Sequence, residues 1–354
     1  MLISSFSGEK VVLTTPLLKW YLENGLKVTK IYQITHYEPQ ACFTSFETEV
    51  TEARRLGDVD PTKAVIGNAM KLLGNSSYGK TITRVENHMH VAYLNLKDLE
   101  EALKQPTYHR CIEINDNLFE VHSYKKQVEY KLPVQIGFFV YAYAKLRMLE
   151  FVFECLDKFI PRSCYQLMEM DTDSIYLALS GTSLDEVVRS DLRADFYNEV
   201  EKWFPVPACD AHIAAFKQTK ILGQTWDYLG ECCKLAEKSQ QRTPGLFKIE
   251  WVGDGMVCLS PKCYLGVCRT ETGGFAEHNA KCSTKGLIKA QNQFTIEDFR
   301  RVLDTSESGL GLNKGFQCKD NGIVTYAQHR TGLGYFYAKR KVLDDKVTTI
   351  PLDI

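Results

Sequence analysis

A short acidic turn between two apolar segments constrains this chain more than any other feature. Residues 167–177 read Leu-Met-Glu-Met-Asp-Thr-Asp-Ser-Ile-Tyr-Leu, which predicts two strands joined by a turn with Asp171 and Asp173 at its tip. Alternate residues of a strand point to the same face, so both carboxylates are expected to face one point. Two such carboxylates repel each other unless a cation lies between them, and oxygen ligands suit Mg²⁺ or Mn²⁺. The alternative is an ordinary surface turn.

A second motif lies on a predicted helix. Residues 71–80 read Lys-Leu-Leu-Gly-Asn-Ser-Ser-Tyr-Gly-Lys, and the apolar spacing of residues 61–74 predicts a helix that begins near Pro61. Its apolar residues are expected to form a buried face: Val65, Ala69, Leu72 and Leu73. Lys63, Lys71 and Asn75 lie on the other side, where a lysine that faces a cleft would suit a triphosphate. The alternative is an amphipathic helix with solvated lysines.

Together these motifs resemble those of family B DNA polymerases. The signature Lys-x-x-x-Asn-Ser-x-Tyr-Gly corresponds to Lys71, Asn75, Ser76, Tyr78 and Gly79, and Asp-Thr-Asp-Ser runs from Asp171 to Ser174. Residues 259–264 resemble the Lys-x-Tyr motif, with Lys262 and Tyr264, and residues 243–251 resemble the strand that leads into it. Residues 9–26 are similar to a stretch of the protein-primed branch, which occurs in transposons, linear plasmids and viruses.

The resemblance implies an α/β (α+β) fold of the right-hand polymerase type. It predicts a palm with an antiparallel sheet, a helical fingers hairpin and a partial thumb, without an exonuclease domain. The expected divisions are a palm remnant at 1–43, fingers at 44–80, an insertion resembling the strand-displacement element at 81–132, palm at 133–268, and a thumb-like region at 269–354.

The resemblance also assigns roles in DNA-directed DNA synthesis. Two Mg²⁺ ions, or Mn²⁺, would be held by Asp171 and Asp173, with Asp173 bridging them. Lys71 would contact the triphosphate of a dNTP, Tyr78 would stack under the nascent base pair, and Asn75 and Gly79 would shape its pocket. The primer–template would be bound by a further set of residues: Lys262, Tyr264 and Lys285. A terminal protein is a further partner that the resemblance implies.

Two departures from the family pattern limit this interpretation. The motif Asp-x-x-Ser-Leu-Tyr-Pro, whose aspartate bridges both metals, does not precede Glu9, and Glu169 stands where the family usually has Tyr. The expectation is therefore the C-terminal part of a polymerase, inactive by itself. One alternative is a non-catalytic remnant that binds primer–template or another partner. A second is an unrelated Mg²⁺ phosphotransferase that uses the acidic pair.

Composition indicates a globular intracellular protein. Of the 354 residues, 44% are hydrophobic and 25% are charged. The 12 cysteines include no Cys-x-x-Cys pair, which argues against a zinc ribbon, and without a signal peptide they favour reduced thiols in an intracellular protein that is not secreted. The resemblance implies the nucleus, or wherever the parent element replicates. The longest apolar run, residues 134–156, contains Lys145, Arg147 and Glu150, so it predicts a buried helix and no membrane partner.

The remaining pattern predicts a coarse series of elements. The predicted helices lie at 16–24, 44–56, 97–104, 137–159 and 184–203; predicted strands lie at 27–37, within 81–132 and as a pair in 245–268; residues 206–237 are mixed.

Overall fold

The computed structural model of the chain describes residues 8–206, 242–269, 275–284, 287–288, 291–319, 322–334, 340–344 and 349–351. These ranges contain both helices and sheets, and all the strand pairs in them are antiparallel. This agrees with the predicted α/β (α+β) class, whereas the right-hand polymerase arrangement stays a prediction. Lys285 and nearly all of the segment predicted as mixed, 206–237, lie outside the described residues.

The first helix, α1 (Thr15–Glu23), confirms the helix predicted at 16–24. A proline in its first turn suits helix initiation, because the missing N–H has no intrahelical partner there. Leu17 and Trp20 are buried on one face of α1 and pack against α5 (Val134–Glu150). This contact fixes the N-terminal segment to the centre of the molecule.

The prediction of a strand at residues 27–37 is wrong. These residues form no regular element, and their alternating side chains are open to solvent, with Ile31 67% and Ile34 81% exposed. An alternating sequence becomes a strand only where a neighbouring strand satisfies its backbone groups. None of the described strands pairs with this segment.

Two helices, α2 (Thr44–Val59) and α3 (Ala64–Thr81), form the predicted hairpin. A short 3-10 turn, Pro61–Lys63, joins them, and Asp60 caps it by accepting a 2.9 Å hydrogen bond from the Thr62 N–H. The helices approach closely at glycines, because a Cβ added to Gly57 would lie 3.1 Å from the Cα of Gly67. Helix α3 is longer than predicted and carries the whole second motif.

The apolar face predicted for α3 is not buried. Val65 is 77% exposed, Leu72 69% and Leu73 49%, and Ala69 is also exposed. The face that packs against α2 carries small residues instead: a Cβ on Gly74 would lie 3.3 Å from Val50 Cγ1. The close contact between the α2 and α3 backbones therefore determines that the glycine face of α3, and not its apolar face, packs against α2.

Residues 90–123 form a small unit between the hairpin and α5. Its elements are β1 (His90–Leu94), α4 (Leu96–Leu103), β2 (Tyr108–Asn115) and β3 (Leu118–Ser123), in the sheet order β1-β3-β2. Leu99 of α4 and Phe119 and Val121 of β3 are its buried core. The strands and short helix predicted for 81–132 are confirmed.

Helix α5 leads into the largest core. After Glu150 the helix continues as a π-helical segment, Phe151–Leu156, and a last turn, Asp157–Phe159, so the helix predicted at 137–159 is confirmed with an earlier start. Aromatic side chains fill this core: Phe151, Phe159, Phe196, Trp203 and Phe204. In place of one helix at 184–203, the chain forms α6 (Arg193–Glu199) between 3-10 turns at Asp185–Val187, Ser190–Leu192 and Val200–Lys202.

Two antiparallel sheets carry the other motifs. Strands β4 (Tyr165–Asp171) and β5 (Ser174–Leu179) form one, and β6 (Gly255–Ser260), β7 (Cys263–Arg269) and β8 (Phe275–Ser283) form the other. The pair of strands predicted within 245–268 is confirmed, but it begins only at Gly255, so the strand predicted for the leading segment at 243–251 is absent. That segment is instead fastened to the core by Arg147, whose Nε donates to the Gly245 carbonyl at 2.8 Å.

The C-terminal residues form a helix and two hairpins. Helix α7 (Ile296–Thr305) begins with a capping box between Thr295 and Asp298 and packs on β6 and β7. Strands β9 (Gly309–Lys319) and β10 (Gly322–Leu333) form a long ribbon, and β11 (Arg340–Val342) pairs with β12 (Thr349–Pro351). No helix in the described ranges is both long enough and apolar enough to span a bilayer.

Candidate active site

The acidic turn lies at the tip of a tight hairpin, as the sequence predicts. Asp171 pairs with Ser174, leaving Thr172 and Asp173 as the two turn residues, and Thr172 adopts a φ of 51°. The Asp173 N–H donates to the Asp171 carbonyl at 2.5 Å, and the Ser174 hydroxyl donates to the same oxygen at 3.2 Å. Strand alternation therefore ends at Asp171, and the turn rather than the pleat sets the direction of Asp173.

A second turn contacts this acidic hairpin. Pro261 and Lys262 connect β6 to β7, and the Lys262 ammonium forms an ion pair with the Asp171 carboxylate. The backbone N–H of Lys262 donates to Glu169 Oε1 at 3.1 Å. The predicted primer-binding lysine is thus brought to the predicted metal ligand, although the two residues lie 91 positions apart.

Tyr264 joins the same cluster from β7. Its hydroxyl lies 3.2 Å from the hydroxyl of Tyr176 on β5, and the ring centroids are 5.0 Å apart. Burial and the hydrogen bond to Tyr264 raise the pKa of the Tyr176 phenol well above its ordinary value. Tyr176, which the motifs did not single out, therefore serves as the support that orients Tyr264.

The charges around the acidic hairpin are partly balanced. The contact with Asp171 raises the pKa of Lys262, because the carboxylate stabilises the ammonium. Burial raises the pKa of Glu169; the Lys262 N–H opposes this effect and the charge of Asp171 adds to it. The cluster has three carboxyl groups, those of Glu169, Asp171 and Asp173, and one lysine, so its composition suits an additional cation.

Tyr78 of α3 packs against α5 and is influenced electrostatically by the acidic hairpin. The Tyr78 ring packs edge-on against Tyr141 of α5, with centroids 5.9 Å apart. Burial raises the pKa of the Tyr78 phenol, and the charges of Tyr141 and Asp173 raise it further, so Asp173 lies within electrostatic reach.

A close helix contact fixes the position of Tyr78. The Gly137 N–H at the start of α5 donates to Thr81 Oγ1 at 3.0 Å, and that hydroxyl donates to the Tyr78 carbonyl at 2.6 Å. A side chain at residue 137 would collide with Ile82, because an added Cβ would lie 2.4 Å from its Cγ2. The absence of a side chain at Gly137 lets the end of α3 dock on α5.

The remaining α3 residues lie farther along the helix. Asn75 is exposed, and Gly79 has open space around its Cα. Lys71 lies two turns before Tyr78, about 10 Å along the axis, and lines a cavity of about 240 Å³ between α2 and α3. Lys71 and Asn75 therefore lie on the predicted helix, but Lys71 faces the cavity between α2 and α3 and not the acidic hairpin.

The cavity that contains Lys71 is cationic. Arg54, Arg242 and the acidic Asp58 also line it, and the Arg54 Nε is buried without a hydrogen-bond partner among the described residues. Arg242 forms two 2.6 Å hydrogen bonds with Asp58, which hold the pKa of that carboxyl below its usual range. Three cationic side chains and one carboxylate line the cavity, so its net positive charge suits an anion such as a phosphate.

Sequence reasoning did not identify Arg54 or Arg242. Arg54 lies within the charged helix at 44–59, where a solvated side chain was the natural expectation, and Arg242 directly precedes the segment 243–251. The only local signal is the adjacent pair Arg54–Arg55 near the end of α2. The ion pair between Asp58 and Arg242 joins residues 184 positions apart, and no periodic pattern predicts it.

Mg²⁺ matches the chemistry of the acidic hairpin. It prefers oxygen ligands and is commonly held by one or two carboxylates with water and substrate phosphates. Asp171 and Asp173 supply two carboxylates, whereas Glu169 already accepts a hydrogen bond from Lys262. Within the described ranges, no group of three or more metal-binding side chains occurs. The two aspartates could therefore hold Mg²⁺ only with water or a bound phosphate.

The described residues therefore include a pair of aspartates at a hairpin tip, a tyrosine on α3 and a separate cationic cavity between α2 and α3. These are the parts that a nucleotidyl transfer needs: metal for the charged groups, a surface for the base, and cations for the triphosphate. No protein-family model matches the chain, and neither a curated protein nor a solved structure does. The assignment of function therefore depends on the motifs and on the geometry around Asp171.

Proposed function

We propose that this chain is the polymerase part of a family B, protein-primed type of DNA polymerase that adds dNTPs to a DNA primer. The observation that supports this most strongly is the meeting of three separate motifs. Lys262 from the β6–β7 turn pairs with Asp171 of the acidic hairpin, and Asp173 influences the phenol of Tyr78 from α3, which supports a shared site for the three motifs. Initiation on a terminal protein and the site of replication in the cell are expected from the resemblance alone.

The residues of the site would divide the work as follows. Bound Mg²⁺ would supply charge neutralisation at the triphosphate and activation of the primer hydroxyl. Asp171 and Asp173 would hold it, and Tyr78 would carry the base of the incoming nucleotide. Lys71 and Arg54 would attract the phosphates into the cationic cavity.

A second candidate function is primer–template binding without catalysis. It is favoured by the small number of carboxylates, since no third metal-binding side chain joins Asp171 and Asp173 among the described residues. The Lys262 ammonium also pairs with Asp171, so metal binding must displace or share this contact. We therefore expect little or no primer extension by the purified 354-residue chain with Mg²⁺.

A binding experiment tests the proposed function without requiring turnover. The chain is titrated onto a fluorescent primer–template whose primer ends in a dideoxynucleotide, with Mg²⁺ and each dNTP in turn, and anisotropy is recorded. The dNTP that is complementary to the next template base should tighten DNA binding, and the other three should not. Equal affinity with all four dNTPs would contradict template-directed synthesis.

Two substitutions separate the sites in this experiment. Lys71→Ala should remove the effect of the dNTP while DNA binding remains, and Asp173→Asn should remove the effect of Mg²⁺. The exposed Lys97 on α4 offers a matched control, because Lys97→Ala deletes the same charge away from the site. No DNA binding at low salt by the folded wild-type chain would overturn both candidate functions.

A further inference from the structure

The turn that presents Lys262 adopts a backbone conformation that its sequence does not favour. Ser260 pairs with Cys263, so Pro261 and Lys262 are the two turn residues, and Lys262 has a φ of 64°. Proline followed by a residue with positive φ is the pattern of a type II turn, in which the second of the two central residues is usually Gly or Asn. A side chain in the left-handed region costs about 1–2 kcal/mol. Contacts outside the turn must therefore help to maintain it.

Glu169 supplies such a contact. Its Oε1 accepts the N–H of Lys262 at 3.1 Å, and this backbone group lies at the strained position itself. Glu169 is partly buried in β4 and precedes Asp171 by two residues, so both side chains project from the same face of the strand. Lys262 is thus held at two points, its backbone by Glu169 and its ammonium by Asp171.

A charged acceptor makes this contact stronger than a neutral one would. Hydrogen bonds to a carboxylate are roughly twice as strong as neutral pairs, and this one has the ordinary N–H···O length of 3.1 Å. The family that the motifs resemble usually has Tyr at the place of Glu169. A tyrosine would present a ring and a hydroxyl, not two acceptor oxygens on a short side chain.

We propose that Glu169 is a positioning residue, which fixes the Lys262 backbone so that the lysine side chain is held beside Asp171. Glu169 acts through Lys262 and does not itself contact the substrate. The effect on DNA affinity described below rests on the proposed function, whereas the effect on the Lys262 amide does not.

The amide of Lys262 gives the direct test. The full chain is labelled with ¹⁵N-lysine, and the Lys262 resonance is identified by its loss in Lys262→Arg. A strong hydrogen bond shifts the amide proton downfield, so Glu169→Leu should move this resonance upfield. Glu169→Gln, which retains an acceptor oxygen, should move it less. An unchanged Lys262 resonance in folded Glu169→Leu would overturn the proposal; if that variant does not fold, Glu169→Ala provides the same comparison.

DNA affinity gives the functional test through a double-mutant cycle. Glu169→Leu should weaken primer–template binding about tenfold, equivalent to about 1.4 kcal/mol, and Glu169→Gln should restore most of the loss. In the Lys262→Ala background, Glu169→Leu should have no further effect, because the residue that it positions is absent. Additive effects of the two substitutions would overturn the proposal.

The two tests also separate this proposal from the function that it extends. The expected amide shifts together with no DNA binding by the wild-type chain would contradict the proposed function and leave the role of Glu169 intact. The reverse outcome, DNA binding that depends on Lys262 but not on Glu169, would overturn the positioning role and leave the proposed function standing.

Discussion

Replacing Gly137 with alanine should destabilise the contact that holds Tyr78 in place. The new Cβ would lie 2.4 Å from Ile82 Cγ2, 2.8 Å from Thr81 Oγ1 and 3.1 Å from the Tyr78 carbonyl oxygen. Non-bonded carbon atoms need about 3.5 Å, so Ile82 has to retreat by about 1 Å. The end of α3 would be displaced from α5.

The cost can be estimated from the parts of this contact. Overpacking costs about 1–3 kcal/mol, and weakening of the 3.0 Å hydrogen bond between Gly137 and Thr81 adds about 1 kcal/mol. The better helix propensity of alanine offsets about 1 kcal/mol of this. The net expectation is a destabilisation of about 1–3 kcal/mol.

Gly79→Ala is the matched control. Gly79 also lies within a helix, but an added Cβ there has no neighbour within 4 Å. That variant should be stabilised by up to about 1 kcal/mol through helix propensity alone. The gain in helix propensity is common to both variants and cancels in the comparison. The two variants should therefore differ in unfolding free energy by the overpacking and the weakened hydrogen bond, about 2–4 kcal/mol.

Urea unfolding followed by far-UV circular dichroism measures the difference, with hydrogen exchange of α3 amides as a local readout. The amides at the end of α3 should lose protection in Gly137→Ala and not in Gly79→Ala. If Gly137→Ala proved as stable as Gly79→Ala, the close docking of α3 on α5 would be refuted.

Three further predictions concern charged and aromatic groups. Arg242 lowers the pKa of the Asp58 carboxyl in the folded protein. The contribution of Asp58 to stability is therefore fully present above about pH 4 and is lost as the pH falls through the lower pKa of the folded state. The urea midpoints of wild type and Asp58→Asn should accordingly converge in acid. Arg54→Met should weaken dNTP binding in the anisotropy experiment and leave DNA binding unchanged, and equal dNTP affinity would contradict the anion role of the cavity. Tyr264→Phe, which removes one contact between hydroxyls, should weaken DNA binding less than Lys262→Ala does.

Features that depend on neighbouring residues were predictable from the sequence. The turn at Asp171 and Asp173 has turn-forming residues between two apolar segments, and the structure places a two-residue turn there. Helix α1 was predicted because Pro16 and Gly25 mark its ends. In each case the determining interactions lie within a few residues of one another, so the local pattern contains them.

Features that depend on distant partners were not predictable. The apolar spacing at Val65 and Leu72 indicated a buried face, but the close approach between Gly57 and Gly67 turned that face to solvent. Segment 27–37 has strand-like alternation, yet no described strand lies beside it. The anchoring of Lys262 by Glu169 joins residues 93 positions apart, and only the fold reveals it.

The docking of Thr81 on Gly137 also bears on how this chain can change in length. These two residues are joined by a 3.0 Å hydrogen bond although 56 positions separate them, and the intervening β1-α4-β2-β3 unit has a core of its own. The entropy of closing a loop rises only with the logarithm of its length, so each doubling costs about 0.6 kcal/mol. Insertions or deletions within this unit should therefore leave the placement of Tyr78 almost untouched, and the unit can vary independently of the site.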